Sequence, residues 1–327
     1  MKKRIRRAKK LKWAVAGCGN FAENTFIPTL LQLKKSILTS VYSSNLNRAN
    51  FIANKFSATS SFNDYKEFLK QDFDIVYIGS ANYNHYWQVL EAAKAGKHIL
   101  CEKPLALSSQ QAKEMMEVSE ANNVFLTVNY VHRFHPLAVK TKEILEKAMI
   151  GTIIMISASF NIDYKPNDNF RFEKAKSGGG ALRDLGTHMI DLLRFFGGEI
   201  SEVKGFTDNL VYKSEVEDFA TGIFKFEKSG YGFINVSFNA QNAFNRIEII
   251  GSNGSISLEN IIGKKKHIGK LVINLPSEAR KAFRKRANKQ LHALRSVQKA
   301  ILNNVYPDVT AYDGFINMKI MEKLESN

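Results

Sequence analysis

The tripeptide Glu102-Lys103-Pro104 most constrains this chain, because it directly follows a short apolar segment typical of a buried strand. A glycine loop with the pattern Gly17-x-Gly19-x-x-Ala22 follows an earlier strand pattern in the same way. Ligands of open α/β sheets bind at the carboxyl ends of the strands. We therefore expect both segments at one sheet edge, with Lys103 beside the nicotinamide of a bound dinucleotide. The loop's candidate cofactor residues are Gly17, Gly19, Asn20 and Phe21.

The pattern of apolar residues divides the chain at about residue 135. Before it, short unbroken apolar strands alternate with helices, which predicts an α/β Rossmann domain with a buried parallel sheet in residues 1–135. After residue 151, longer strands with polar alternation and short turns predict an α+β domain with an open, mostly antiparallel sheet in residues 136–327. The predicted strands span 13–16, 37–42, 75–79, 99–101, 124–128, 152–160, 203–208, 219–226, 231–239, 246–250 and 255–259. Helices are predicted over 84–95 and 108–122, and from near residues 136, 290 and 311.

The chain has 327 residues and a formal net charge of +16 at pH 7, with the basic excess in residues 2–12 and 264–289. Neither basic run contains the interleaved aromatic residues of a nucleic-acid stacking platform. We therefore expect solvated surface there and no nucleic-acid partner. No apolar run approaches the roughly 20 residues of a membrane span. The two cysteines form no disulfide framework, and no apolar signal region follows the basic N-terminus, so we expect a cytoplasmic location.

The end of the second predicted strand bears on the choice between NAD and NADP. This strand normally ends in an acid that binds the ribose 2′-hydroxyl of NAD. Here no Asp or Glu occurs between Glu23 and Asp64, and the candidate contacts are Ser43, Ser44 and Arg48. Hydroxyl and guanidinium groups suit a 2′-phosphate better than a carboxylate does. NADP is therefore the more strongly predicted cofactor, and the alternative is that Arg48 is only a surface residue.

A run of three glycines, residues 178–180, precedes a predicted helix that contains Asp184 and His188. Residues four apart lie on one face of an α-helix. A carboxylate beside an imidazole suits proton transfer near neutral pH. We interpret this pair as functional, against the alternative of a capping Asp and a core histidine.

Two further groups of polar residues allow more than one interpretation. Asn82 and His85 follow a strand at the ligand edge, so they form either a helix start or contacts near the nicotinamide. The segment His132-Arg133-Phe134-His135 could suggest a metal site. It lacks a cysteine or acid cluster at ligand spacing, so we expect no bound metal.

Together these segments resemble the Gfo/Idh/MocA family of oxidoreductases. The matching segments are residues 16–20, 82–85, 95–98, 101–105, 129–136 and 179–191, in the family's order. The Glu102-Lys103-Pro104 and Asp184-Leu185-Gly186-Thr187-His188 segments are the specific ones. Ala81 is a departure, because the family often has proline at that position. The resemblance implies a Rossmann domain, an open-sheet domain and a homodimer or homotetramer that assembles through that sheet.

The resemblance also implies hydride transfer between NAD(P) and a sugar, sugar derivative or cyclic polyol. Lys103 matches the family's lysine beside the reacting oxygen, His188 its proton-transfer residue and Asp184 the partner of that residue. Glu102 and Lys103 also border the expected cofactor site, while Arg133 and Arg171 are candidate substrate contacts. Because Lys103 and His188 are both present, we favour an enzyme over a non-catalytic NADP-binding regulator. The basic balance favours an anionic substrate, such as a nucleotide sugar for surface polysaccharide, over a neutral inositol-type polyol.

Overall fold

The computed structural model describes residues 10–243, 245–263, 267–276 and 278–326. Most of the basic run 2–12, and Lys264, Lys265 and Lys266 of the second run, lie outside the described residues. The strands are β1 Leu11–Ala16, β2 Ser36–Tyr42, β3 Ser60–Phe62, β4 Ile75–Ile78, β5 His98–Cys101, β6 Leu126–Val128, β7 Ile153–Asn161, β8 Ile200–Asp208, β9 Phe219–Phe226, β10 Tyr231–Ser237, β11 Arg246–Gly251, β12 Gly254–Glu259, β13 Gly269–Asn274 and β14 Lys281–Lys285.

The α-helices are α1 Ile27–Leu30, α2 Leu46–Phe56, α3 Tyr65–Leu69, α4 Asn82–Lys94, α5 Ser109–Ala121, α6 Pro136–Glu146, α7 Lys174–Ser177, α8 Thr187–Gly197, α9 Lys289–Asn303 and α10 Ala311–Glu325. Two π-helical turns, Ala22–Phe26 and Leu182–Gly186, precede α1 and α8. In the part of the chain that the structure describes, no helix is both long and apolar enough to cross a membrane.

The first sheet has the strand order β3-β2-β1-β4-β5-β6, and all of its pairs are parallel. Every residue of β4 is buried, as the unbroken apolar pattern predicts for a strand covered on both faces. Asn45 and Ser108 cap α2 and α5 by accepting backbone N–H groups, and the cap at Ser108 confirms the predicted helix start at that residue. The predicted Rossmann architecture is therefore confirmed. Strand β3, a half-buried edge strand of three residues, was not predicted.

The second sheet has the order β14-β13-β12-β11-β7-β10-β9-β8, and only the β7–β10 pair is parallel. Along β10, Gly232, Ile234 and Val236 face the core, while Tyr231 is exposed on the other face. This confirms the predicted mostly antiparallel sheet with one packed and one open face. Strands β13 and β14 were not predicted. Strand β14 is an exposed edge strand whose basic residues resemble those of a solvated loop, and lysines are common on such edges.

The two C-terminal helices return to the first sheet. Gln290 of α9 exchanges amide hydrogen bonds with Asn129, at 3.1 and 3.2 Å. Glu322 of α10 accepts from the backbone N–H of Ser109, the first residue of α5, at 2.6 Å. The predicted domain boundary at residues 135/136 coincides with the start of α6, and Pro136 occupies its first turn. That boundary stays a prediction, because α10 contacts β6 of the first sheet as well as β8 of the second.

Candidate active site

The glycine loop lies at the carboxyl end of β1, where the backbone has to pass very close to the neighbouring strand. Gly17 has a φ of +94°, and a Cβ at this position would lie 2.4 Å from the backbone nitrogen of Ser80. A side chain at residue 17 is therefore excluded by both backbone conformation and space. A Cβ on Gly19 would meet no atom within 4 Å, because this residue faces an open cleft. The loop fits the close approach of a dinucleotide phosphate that the sequence predicts.

A cleft with a volume of 1020 Å³ extends from this loop to the second sheet. It brings together most of the residues predicted from the sequence to form the site. Those on its wall are Gly17, Gly19, Asn20, Phe21, Ser43, Ser44, Asn82, Glu102, Lys103, Arg171, Asp184 and His188. The two domains therefore contribute to one site at the carboxyl edge of the parallel sheet.

Lys103 and Asp184 form the central ion pair of the cleft. The Lys103 ammonium donates to the Asp184 carboxylate at 2.6 Å and to the Asp184 backbone carbonyl at 2.9 Å. Nε of Arg171 lies 3.6 Å from the second carboxylate oxygen. Burial raises the pKa of Asp184, but Lys103 and Arg171 lower it by more, so the net shift is downward. Asp184 is therefore an ionised partner of two cations.

The predicted Asp184–His188 pair does not form, which corrects the sequence interpretation. Both residues line the cleft, but their side chains are not hydrogen-bonded to each other. The Asp184 carboxylate bonds to Lys103 instead. Nδ1 of His188 is buried and has no hydrogen-bond partner among the described residues. Burial, Lys103 and Lys289 lower the pKa of His188 well below 6.5, so its imidazole is neutral at pH 7.

Glu102 supports the turn that carries Lys103. Its carboxylate accepts from the Tyr77 hydroxyl at 3.0 Å and from the Asn129 amide at 2.6 Å. Burial raises the pKa of Glu102, and these hydrogen bonds and the Lys103 charge oppose that rise. Glu102 lies on the cleft wall as predicted, but its oxygens are already held by the protein.

His85 lies behind the cleft wall, where it cannot make the cofactor contact that the sequence suggested. Its Nδ1 lies 3.0 Å from the Pro104 carbonyl and its Nε2 lies 3.1 Å from the Ser80 carbonyl. Burial lowers the pKa of His85 to about 4. His85 therefore ties the turn after β5 to the end of β4. Asn82 remains on the wall, with its amide donating to the Ser177 carbonyl at 2.9 Å.

Two predicted arginine contacts are engaged in ion pairs. Arg133 binds Asp191 at 2.8 and 2.6 Å and Asp313 at 2.9 Å, away from the residues that line the cleft. It joins helices, so the substrate role suggested for it is wrong in this structure. Arg48 donates from Nε to the Cys18 carbonyl at 2.7 Å and also pairs with Glu23. Arg48 is thus held at the base of the glycine loop, beside the cleft.

Sequence reasoning missed a lysine on the cleft wall. Nζ of Lys289 lies 2.8 Å from Nδ1 of His132 and 3.0 Å from the Ile261 carbonyl. The His132 and His188 rings stack edge to face, with centroids 4.6 Å apart. Within its basic segment, nothing in the sequence distinguishes Lys289 from its exposed neighbours. No group of three or more His, Cys, Asp or Glu residues in the described part of the chain could hold a metal ion.

Solved structures and curated proteins resemble this chain over most of its length. Levoglucosan dehydrogenase in complex with NADH and levoglucosan has a TM-score of 0.87 and 22% identity, covering 97% of this chain and 96% of that one. A 3-ketoreductase from Actinomadura kijaniata, in complex with NADP and TDP-benzene, has a TM-score of 0.84 and 22% identity, covering 97% of both chains. The scyllo-inositol 2-dehydrogenase (NADP(+)) of Bacillus subtilis is 29% identical over 77% of this chain and 76% of its own length.

Family models match both halves of the chain. The model for the oxidoreductase family with an NAD-binding Rossmann fold matches residues 11–130. The model for the GFO/IDH/MocA C-terminal domain matches residues 138–257. The cleft lies between these two matched segments and carries residues from both. The chain therefore belongs to the GFO/IDH/MocA family of NAD(P)-dependent oxidoreductases.

Proposed function

We propose that the protein transfers hydride reversibly between NADP(H) and a CH–OH carbon of a sugar derivative. The observation that carries this proposal is one cleft wall on which a charged lysine and a neutral, unpartnered histidine lie together. Lys103 is fixed by Asp184, and His188 has a buried Nδ1 without a partner among the described residues. Three relatives support the substrate class: a levoglucosan dehydrogenase, a scyllo-inositol 2-dehydrogenase and a 3-ketoreductase solved with NADP and TDP-benzene.

The glycine loop and the wall residues Ser43, Ser44, Asn82 and Glu102 would hold the cofactor. When bound, its nicotinamide supplies or accepts the hydride. His188 accepts the hydroxyl proton of the substrate during oxidation and returns it during reduction. The Lys103 ammonium stabilises negative charge that develops on the substrate oxygen, while the Asp184 carboxylate keeps that ammonium in place. Arg171, which lines the same cleft, is the substrate contact that we retain.

We propose NADP rather than NAD because Ser43 and Ser44 line the cleft where an acid would otherwise bind the ribose. Arg48 is one helical turn away and is paired with Glu23. Arg48 can bind a 2′-phosphate only if its guanidinium contacts the phosphate and the Glu23 carboxylate at the same time. Cys18 and Cys101 are buried and unpaired, which agrees with the cytoplasmic location that we propose.

We also propose a homodimer or homotetramer that buries the open face of the second sheet. Apolar side chains lie exposed on three of its strands, at Phe206, Ile223 and Tyr231. Ile223 pairs across the sheet with Phe233, so the apolar surface is continuous between β9 and β10. An exposed apolar sheet face of this kind is typical of a subunit interface.

The experiment that tests the catalytic proposal is a substrate panel. Sugars, sugar acids, sugar phosphates, nucleotide sugars and inositols are supplied with NADP⁺ or NAD⁺, and the absorbance of the reduced nicotinamide is followed. Reduction of NADP⁺ by at least one sugar supports the proposal. Reduction only by inositols would favour the polyol alternative. Tight NADP binding with no turnover of any panel member, in either direction, would favour the non-catalytic regulator.

A further inference from the structure

Lys289 is a third cation in the cleft, and its surroundings differ from those of Lys103 and Arg171. Those two cations share the Asp184 carboxylate. Within the described residues, Lys289 contacts only neutral acceptors, the His132 ring and the Ile261 carbonyl. Burial alone lowers its pKa, to about 7, and no carboxylate opposes that change. The residues outside the described part of the chain, 1–9, 244, 264–266, 277 and 327, contain no Asp or Glu side chain.

An ammonium in a partly dry site without an anion is energetically costly, because burial removes its hydration. An ammonium also has three N–H donors, and the two contacts of Lys289 use two of them. The third donor has no acceptor among the described residues, and the side chain lines the cleft. A ligand that enters the cleft can therefore supply both the missing acceptor and the missing negative charge.

The position of Lys289 limits where that negative charge lies on the ligand. Its amine is 2.8 Å from Nδ1 of His132, whose ring lies 4.6 Å from the His188 ring, centroid to centroid. Because both separations are short, the distance from the Lys289 amine to the His188 ring is no longer than one substituted sugar ring. An anion bound there would therefore belong to the sugar ring that contains the oxidised carbon. It would be a substituent of a ring carbon or be linked to the anomeric oxygen of that ring.

We propose that Lys289 and His132 form a subsite for an anionic substituent, a carboxylate or phosphate, on the sugar ring that undergoes hydride transfer. This inference rests on the proposed function, because it places the anion relative to the oxidised carbon. The Lys289 ammonium binds the anion, and the His132 ring holds that ammonium in place through Nδ1. The subsite selects a sugar acid or sugar phosphate over the corresponding neutral sugar.

The test measures binding rather than turnover. Enzyme saturated with NADPH, which cannot oxidise these sugars, is titrated calorimetrically with matched sets of a hexose, its uronate and its 1-phosphate, for the gluco, galacto and manno series. The variants are Lys289→Met and Lys289→Gln. The matched control is Lys270→Met, because Lys270 is also partly buried but pairs with Glu259 and does not line the cleft. Thermal unfolding and NADPH titration of each variant check that the cofactor site is retained.

In at least one series we expect the anionic sugar to bind the wild type about tenfold or more tightly than its hexose, the size of one charge-assisted contact. Both Lys289 variants should remove that preference, whereas Lys270→Met should retain it. Which anionic sugar is preferred, the uronate or the 1-phosphate, distinguishes a carboxylate from a phosphate. The subsite is refuted if no anionic sugar binds more tightly than its hexose, or if the preference survives in both Lys289 variants.

The same samples separate this inference from the proposed function. If the subsite fails while hexoses still reduce NADP⁺, hydride transfer to neutral sugars stands and the anionic subsite does not. If Lys289-dependent binding is found but no sugar reduces NADP⁺, the subsite stands and the hydride-transfer role fails. An equal loss of kcat for neutral and anionic sugars in Lys289→Met, with unchanged binding, would overturn the subsite and assign Lys289 to proton transfer.

Discussion

Replacement of Lys103 by methionine removes the charged donor of the cleft while keeping most of the side-chain volume. In the structure its ammonium makes two bonds to Asp184, at 2.9 and 2.6 Å, with 14% of the side chain exposed. Removal of one preorganised donor to a developing oxyanion costs roughly 10²–10³-fold in kcat, about 2.7–4 kcal/mol. We expect Lys103→Met to lose at least that much. Asp184 would keep only Arg171, at 3.6 Å, so its pKa should also rise.

The assay compares kcat, NADP(H) affinity and thermal stability of the wild type, Lys103→Met and a matched control. Lys97→Met is that control. Lys97 precedes β5, whereas Lys103 follows it, so the two lysines lie at opposite ends of one strand. The Lys97 ammonium donates to the Gln71 and Phe73 carbonyls. The control should retain wild-type kcat. Lys103→Met should bind NADPH with little change, because the cofactor cradle is built from the glycine loop. A kcat for Lys103→Met within a few-fold of the wild type would refute the proposed role of the ammonium.

Three further predictions concern proton transfer, the cofactor and assembly. The acid limb of kcat/KM for oxidation should lie below pH 6.5, because the lowered pKa of His188 keeps the imidazole neutral above that limb, whereas below it the protonated ring cannot accept the substrate proton. His188→Ala should abolish this limb. An unchanged limb would exclude His188 as the titrating group. Arg48→Ala should raise the Kd of NADP more than that of NAD in fluorescence titrations, whereas tighter wild-type binding of NAD would reverse the cofactor assignment. Ile223→Glu, on the open sheet face, should shift the assembly toward monomers in light scattering, and a monomeric wild type would contradict the proposed interface.

The fold was predictable where burial leaves a simple pattern in the sequence. Strand β4 is an unbroken apolar run because helices cover both faces of the sheet. Strand β14 has no such pattern, because all of its residues are exposed at a sheet edge. Its basic side chains are in contact with solvent and not with a core, so the strand lacks an apolar periodicity that would distinguish it from a loop.

The candidate site was predictable as a set of residues but not as a set of contacts. Arg133 and Arg171 look equivalent in the sequence, yet only Arg171 lines the cleft, because two acids of helices α8 and α10 neutralise Arg133. Lys289 lies on the cleft wall because α9 docks against the segment that contains His132. Such long-range packing has no local sequence pattern. The basic residues that precede Lys289 make it still harder to distinguish from a surface lysine.

The position of Asp184 determines how charge is divided in the cleft. A carboxylate bonded to His188 would stabilise the imidazolium and raise the pKa of that histidine. Because the carboxylate bonds to Lys103 instead, the negative charge compensates the ammonium and the imidazole stays neutral. Removal of a hydroxyl proton needs a neutral acceptor, and the oxygen left behind needs a cationic donor. The corrected pairing therefore supports the proposed reaction better than the Asp184–His188 pair that the sequence spacing indicates.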